Sequence, residues 1–299
     1  PLSTVSTPFA HELLHDPIQT GFFATHLRET FSRNPPVGIE NGRFRNGRFA
    51  FSGQAIDEAR KGTPAKLLKE KADARRRLVE IVKNQSRPEC LGSLDFSTGS
   101  RDAPIFFMTG RFDNMQKGFD IVFRAFARLK RGSAKLFFSP SMLPGQAPET
   151  LTMFAELCER CRGDIAVWPF RLRRSVYDRL LRGATYLVMP SLYEPFGALT
   201  EGYANGTPVV ARACGGALSQ VVPHRPDAIP RGYRHLFGRA LDGAAPTGIL
   251  FREDYPDHIA SGEWARLLML PPERREEVGL YVAMVEAAYE ALLAACAVA

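Results

Sequence analysis

A chain of 299 residues with 45% hydrophobic content is long enough for about two domains and holds ample material for a core. Its 25 glycines and 22 prolines fall without a period, so disorder, collagen and low-complexity polymers are excluded. A balance of 39 Lys and Arg against 32 Asp and Glu leaves +7, which favours an anionic partner: nucleic acid, a membrane surface or a phosphorylated small molecule.

The chain opens at Pro1 with neither the charged start nor the apolar run of a signal peptide, and reads as cut from something longer. From Thr4 to about Asn34 the pattern is that of one or two short helices around a turn, closed by Asn34-Pro35-Pro36. Asn41-Gly42-Arg43-Phe44-Arg45 is then nearly copied by Asn46-Gly47-Arg48-Phe49-Ala50, which suggests successive turns in a solvated loop, with nucleic-acid contact as the alternative. Residues 57 to 83 set Leu67, Leu68, Leu78, Ile81 and Val82 among many charges, as an exposed amphipathic helix does. Residues 84 to 103 lose periodicity and read as a linker.

From Pro104 onward short apolar runs alternate with helical patterns. Strands are predicted at 105–110, 136–139, 164–168, 185–190 and 208–212, and helices at 117–130, 148–162, 173–182 and 198–205. Strands apolar on both faces, joined by helical crossovers, predict an α/β doubly wound parallel sheet of Rossmann-like type. Ligands of such sheets bind at the carboxyl ends of the strands, so the loops there carry the candidate site. Residues near Ala283 to Ala299 form an amphipathic helical stretch interrupted by Glu286 and Glu290, and nothing approaches the roughly 20 apolar residues of a membrane span. No membrane partner is expected, and the protein reads as soluble.

After the first of these strands, Arg111 and Lys117 flank a short loop that opens a helix. Arg111 can fork two phosphate oxygens while Lys117 supplies a point charge; a solvated basic loop is the plain alternative. After the strand at 185–190, Glu194-Pro195-Phe196-Gly197 makes a sharp entry into a helix, and the amides of Gly197, Ala198 and Leu199 point outward in a phosphate cradle. Glu194 and Glu201 are placed to face one ligand through sugar hydroxyls; otherwise they are a helix-terminal charge and a solvated surface acid. Trp168 and Phe170 close another strand, where an aromatic either stacks a nucleobase or packs in the core. Gly215-Gly216 permits close backbone approach to a ligand or simply a tight turn.

Five cysteines without a regular framework argue for a reducing compartment. Cys158 and Cys161 form a CxxC with no second pair to complete a zinc site, so no metal is expected. His11 and His15 share a helical face, whereas His224, His235 and His258 are scattered, and no nucleophile triad can be assembled. Neither a GxGxxG nor a Walker loop is present.

Together the motifs resemble the C-terminal half of a GT-B glycosyltransferase, with greatest similarity to bacterial glycogen and starch synthases. The matching residues are Thr4-Val5-Ser6, Asn41-Gly42, Gly110-Arg111 with Gln116-Lys117-Gly118, Pro190-Ser191 with Glu194-Pro195-Phe196-Gly197, Gly206-Thr207-Pro208-Val209-Val210, Gly215-Gly216 and Thr247-Gly248, all in family order. The resemblance implies a donor-binding domain at 96–270, preceded at 1–95 by the end of an N-terminal domain and an interdomain linker, and followed at 271–299 by a C-terminal helix. It implies a retaining α-1,4-glucan synthase that needs no cofactor, draws glucose from ADP-glucose or UDP-glucose, extends an α-glucan acceptor in the cytoplasm and binds no nucleic acid. A lipid, small-molecule or cell-surface glycan acceptor, or a non-catalytic sugar-nucleotide module, is the alternative.

By the same resemblance Arg111 and Lys117 hold the donor diphosphate, Glu194 binds the transferred glucose, Gly197, Ala198 and Leu199 hold phosphate, Phe170 packs on the base, and Glu201 contacts the ribose. The family's paired-acid pattern sets its second acid eight residues after the first, a place held here by Gly202 between Glu201 and Tyr203. The family's glycine-rich acceptor loop and catalytic histidine have no counterpart in this chain. Half an enzyme, completed by an N-terminal domain, is therefore expected.

Overall fold

The computed structural model describes residues 1–16, 19–40, 50–97, 99–142, 148–229, 231–236 and 243–252, together with Glu290 and Ala294. The tandem Asn-Gly repeat at 41–49, His258 and nearly all of the stretch expected as a C-terminal helix lie outside the described residues. Two compact units emerge: one of Pro1–Arg43, Pro190–Gly197 and Ala211–Ala299, the other of Phe44–Met189 and Ala198–Val210.

The strands are β1 (Ser3–Thr4), β2 (Val37–Gly38), β3 (Leu91–Gly92), β4 (Ile105–Arg111), β5 (Lys135–Ser141), β6 (Ile165–Val167), β7 (Tyr186–Met189), β8 (Val209–Arg212) and β9 (Gly248–Phe251). The α-helices are α1 (Thr7–His15), α2 (Arg28–Arg33), α3 (Gly53–Arg60), α4 (Ala65–Lys83), α5 (Asn114–Lys117), α6 (Phe119–Arg128), α7 (Pro148–Arg160), α8 (Arg174–Gly183), α9 (Leu199–Ala204) and α10 (Gly215–Gln220). Strands β3 to β9 form one sheet in the order β3-β6-β5-β4-β7-β8-β9, the mixed α/β architecture expected of a doubly wound protein.

In the second unit β4 pairs in parallel with β5 over its whole length, Ile105 opposite Lys135 through Arg111 opposite Ser141, and β5 continues in parallel onto β6. Ile105, Phe106, Phe107 and Met108 are all buried, as the unbroken apolar run requires of a strand covered on both faces. Beside them Phe112, Phe119, Phe123, Phe138 and Phe154 meet in edge-on and stacked pairs with centroids 4.9–5.5 Å apart. At roughly 1.5–3 kcal/mol for each fully buried large apolar side chain, this aromatic layer is a principal source of the unit's stability.

Two expectations are corrected here. The single helix expected at 57–83 is two, α3 and α4, because Pro64 lacks the N–H that a continuous helix needs. Buried Ala74, Leu78 and Val82 recur every four residues along α4 and pack it against α8, while Lys71 donates to Gly206 O at 2.9 Å and Thr207 Oγ1 at 2.8 Å. The linker expected at 84–103 contains β3, which pairs antiparallel with β6 and is too short to carry a periodic signal.

In the first unit β1 and β2 pair in parallel. The Ser6 side chain caps α1 by accepting the Phe9 N–H at 3.3 Å, and its hydroxyl donates to Pro195 O at 2.6 Å. Alongside β9, the Ala213 N–H donates to Phe251 O at 2.8 Å.

Candidate functional site

At the carboxyl ends of β4, β5 and β6 in the second unit lies a cavity of about 290 Å³, lined by Thr109, Ser141, Arg171, Leu172, Arg174, Tyr177 and Glu201. The strand ends next to it are tied together by side chains: Thr109 Oγ1 donates to Ser139 O at 2.9 Å, and Ser139 Oγ donates to Phe170 O at 3.1 Å. The parallel register produces this arrangement, since it brings residues 109–111 level with 139–141. The size sits near the lower bound of ligand pockets, roughly 300 Å³.

One wall is ionic. Arg174, the first residue of α8, donates from Nη1 to both Glu201 oxygens at 3.1 and 3.2 Å, and its Nε and Nη2 reach the Asp178 carboxylate at 3.1 Å each. Tyr177 hydrogen-bonds the same Glu201 carboxylate, and burial together with that neighbouring negative charge pushes its phenol well above the ordinary range. Glu201 is thus a held carboxylate with 31% of its side chain exposed, unlike a freely solvated surface acid. Gly202 turns the other way: a Cβ there would meet Thr207 O at 2.8 Å and Leu187 Cδ2 at 3.3 Å. The side chain of α9 that reaches the cavity is therefore that of Glu201.

The other predicted residues of this unit are placed as follows. Arg111 is exposed at the end of β4 and donates to Gln116 Oε1 at 3.0 Å. Lys117 closes the one-turn helix α5, which Asp113 caps by accepting the Gln116 N–H at 3.0 Å. The ring of Phe170 stacks with Trp168 at 5.9 Å, and the Arg87 guanidinium stands 4.6 Å above it, so the aromatic expected to hold a base already has two partners. Trp168 is buried, on the core-packing side of its two expectations. Ala198 caps α9 without a side-chain hydrogen bond, and Leu199 is fully buried.

Glu194 and Gly197 belong to the first unit. Glu194 is 8% exposed, and its Oε2 accepts the Ser191 hydroxyl at 2.9 Å. Beneath it the Gly215-Gly216 turn presses on the same loop: the Gly216 N–H donates to Glu194 O at 2.8 Å, and a Cβ on Gly215 would sit 2.0 Å from that carbonyl oxygen. At φ +42° Gly215 also takes a backbone conformation that side chains disfavour, so the paired glycines serve close backbone approach. Arg212, also buried, donates to Leu192 O at 2.5 Å, and Glu12 accepts the Gly215 N–H at 2.6 Å. Burial and nearby Asp16 push the Glu12 carboxyl up to about 7.

Glu12, Arg174 and Tyr177 escaped the sequence reading. Arg174, Tyr177 and Asp178 stand at i, i+3 and i+4 of one helix face, a spacing that could have flagged them. His235, read as scattered, comes within 5.1 Å of the His11 ring, which also lies 4.5 Å from His15. A 3₁₀ segment at Arg231–Leu236 accounts for this, a short element without a periodic signature. Among the described residues no group of His, Cys, Asp and Glu is placed to hold a metal ion, and no helix is long and apolar enough to cross a membrane. Cys158 is buried in α7, where burial pushes its thiol up to about 12.

Residues 94–229 match the family described as glycosyl transferases group 1. An uncharacterized glycosyltransferase of Methanocaldococcus jannaschii is 32% identical over 132 residues, covering 43% of this chain and 32% of that protein. Among solved structures, the catalytic domain of starch synthase IV from Arabidopsis thaliana, bound to ADP and acarbose, is similar at a TM-score of 0.58 and 16% identity, over 99% of this chain and 56% of that one. Sucrose-phosphate synthase from Thermosynechococcus elongatus is similar at 0.45 and 19% identity, over 98% and 54%. The chain thus spans about a third of the curated relative and little more than half of these structures, and its fold is of the GT-B kind.

Proposed function

We propose, from the match of residues 94–229 to the family described as glycosyl transferases group 1, that the protein is a retaining glycosyltransferase and that this chain supplies its donor-binding half. The observation that carries the reading is the cavity at the carboxyl ends of β4 to β6, where Glu201 is held between Arg174 and Tyr177. A carboxylate fixed at that edge of a doubly wound sheet is a natural acceptor for sugar hydroxyls, and the cavity is assigned to the nucleoside part of a nucleotide sugar.

Each remaining residue takes the role that its chemistry suits. Arg111 and Lys117 neutralise the charge that grows on the departing diphosphate as its bond to the anomeric carbon breaks and the acceptor hydroxyl oxygen bonds to that carbon, the hydroxyl proton passing to the departing phosphate; preorganised charge of this kind is often the largest catalytic contribution. Glu194, oriented by the Ser191 hydroxyl, accepts hydroxyls of the transferred glucose. The preferred donor class is ADP-glucose or UDP-glucose and the preferred acceptor an α-glucan. A starch synthase of similar fold was solved with ADP and acarbose, ligands in keeping with that choice. No resident cofactor is assigned a role, and the cytoplasm, where cysteines stay reduced, is the proposed compartment.

Calorimetric titration of the chain with ADP-glucose, UDP-glucose, ADP and UDP tests the reading. Binding of one base series, weakened about tenfold or more by Lys117→Ala, supports it, since that is the scale of a lost charge-assisted contact. Failure of all four to bind overturns it.

A further inference from the structure

In the first unit the loop at 191–197, which carries Glu194, belongs to no helix or strand, so its course depends on the donors that meet its carbonyls. Arg212 donates to Leu192 O at 2.5 Å, the Gly216 N–H to Glu194 O at 2.8 Å, the Ser6 hydroxyl to Pro195 O at 2.6 Å, and the Gln220 side-chain amide to Phe196 O. Two of these holds trace back to helix α1. Its buried N-cap, Ser6, meets the loop directly, while Glu12 acts at one remove: it is buried, and its Oε1 accepts the Gly215 N–H at 2.6 Å. That amide opens α10, whose N-cap Cys214 offers no side-chain bond, so Glu12 supplies from another helix the cap that α10 lacks. Gly215 has no slack to absorb a shift, since a Cβ there would stand 2.0 Å from Glu194 O. Where Gly215 moves, the Glu194 carbonyl must follow.

We propose that Glu12 is a positioning residue for the transferred sugar: by fixing the Gly215-Gly216 turn it fixes the course of the 191–197 loop, and with it the aim of the Glu194 carboxylate. The inference rests on the reading of Glu194 as the acceptor of sugar hydroxyls and names what holds that residue in place. A binding side chain must stand within about 0.5 Å of its productive position, and a loop meets that tolerance only through the residues packed behind it. Ser191 steadies the carboxylate itself, donating to Oε2 at 2.9 Å, and the Cys214 thiol in turn donates to Ser191 O at 3.2 Å. Cys214 and Gly215 are adjacent, so releasing Gly215 loosens the support of both the carbonyl and the carboxylate of Glu194. Glu12 itself carries a cost, because its Oε2 is buried with no hydrogen-bond partner. Folded proteins tolerate such costs at functional sites more than in plain structural turns.

The experiment is calorimetric titration with ADP-glucose, UDP-glucose, ADP and UDP of the wild type, Glu12→Ala, Glu12→Gln, Glu194→Ala and the Glu12→Ala/Glu194→Ala pair. The nucleotide sugar of the preferred base is expected to bind about tenfold more weakly to Glu12→Ala, the scale of one lost hydrogen bond, whereas the matching diphosphate changes by about twofold or less. Glu12→Gln keeps an acceptor for the Gly215 N–H and is expected to hold nucleotide-sugar binding within about twofold of the wild type. In Glu194→Ala the sugar contact is already gone, so adding Glu12→Ala should weaken nucleotide-sugar binding by no more than about twofold further. Glu12→Asp, one methylene short of Gly215, is expected to show the same sugar-selective loss and supplies the answer should Glu12→Ala fail to fold. Equal weakening of nucleotide sugar and diphosphate, a loss in Glu12→Gln as large as in Glu12→Ala, or an undiminished effect of Glu12→Ala beside Glu194→Ala overturns the inference while leaving the donor reading intact. Nucleotide-sugar binding unchanged by Glu194→Ala overturns the sugar role on which the inference rests, and failure of every ligand to bind the wild type overturns the donor reading itself.

Discussion

The backbone N–H of Gly215 donates to Oε1 of Glu12 at 2.6 Å, joining residues 203 positions apart in sequence. Glu12 is 2% exposed and its Oε2 has no hydrogen-bond partner, while Asp16 adds negative charge nearby. The folded carboxyl therefore holds its proton up to about 7, whereas the unfolded chain releases it near the ordinary 4.5. Between those values the folded state binds more protons than the unfolded, so Glu12 makes stability fall as pH rises. The expected loss from pH 5 to pH 8 is on the order of 3 kcal/mol. Glu12→Gln keeps an acceptor for Gly215 and removes the titration, and should flatten this slope. Denaturant midpoints at the two pH values decide it; equal slopes in wild type and variant would sink the assignment.

Gly202 and Glu201 are neighbours with opposite surroundings, and substitution should separate them. Gly202→Ala would ordinarily strengthen a helix by up to about 1 kcal/mol. Here the new methyl meets the Thr207 carbonyl oxygen at 2.8 Å, a backbone atom that cannot yield cheaply. Thermal unfolding should show a loss of about 1–3 kcal/mol, the usual range for overpacking. Glu201→Ala removes a partly exposed side chain and should leave the melting temperature close to wild type while abolishing any ribose preference. A Gly202→Ala protein as stable as wild type would contradict this packing.

How much of this was legible in the sequence follows from how far each signal reaches. The buried runs around Phe106, Phe137, Val167, Leu187 and Val210 are local, and each becomes a strand within a residue or two of its expected ends. Helix α8 was expected too, yet its Arg174–Glu201 pair spans 27 positions and no periodicity announces it. The Glu12–Gly215 bond is longer-ranged still. The sharp turn at Gly215-Gly216 was readable because glycine there permits a backbone that side chains disfavour. The partners of Phe170 were not, since an aromatic after a strand looks the same whether it meets a base or Arg87.

Lys71 should impose the opposite pH dependence from Glu12. Burial, aided by Arg182, pulls its ammonium down to about 7, against about 10.5 in the unfolded chain. Above 7 the unfolded state binds the extra proton, so this residue makes stability rise with pH until the unfolded lysine also titrates. Lys71→Met should remove that rise between pH 7 and 10. Unfolding curves in which wild type and variant climb in parallel would refute it.

Lys135 and Asp164 make an ion pair at the start of β5 that lies almost wholly out of water, with Lys135 at 0% side-chain exposure and Asp164 at 12%. Lys135 also donates to Gly163 O at 2.9 Å and lies 5.2 Å from the Phe96 ring, while Asp164 Oδ2 accepts the Gly132 N–H at 2.9 Å. Each charge is thus satisfied only while the other is present. Removing one partner by Asp164→Ala strands a buried ammonium and should cost about 3–5 kcal/mol. Replacing both, with Lys135→Met and Asp164→Leu, removes the desolvation penalty together with the attraction and should cost markedly less than the single change. Urea unfolding of the three proteins measures this directly. A double variant as unstable as Asp164→Ala would mean that the Gly132 N–H and the Gly163 carbonyl, rather than the ion pair, dominate the site.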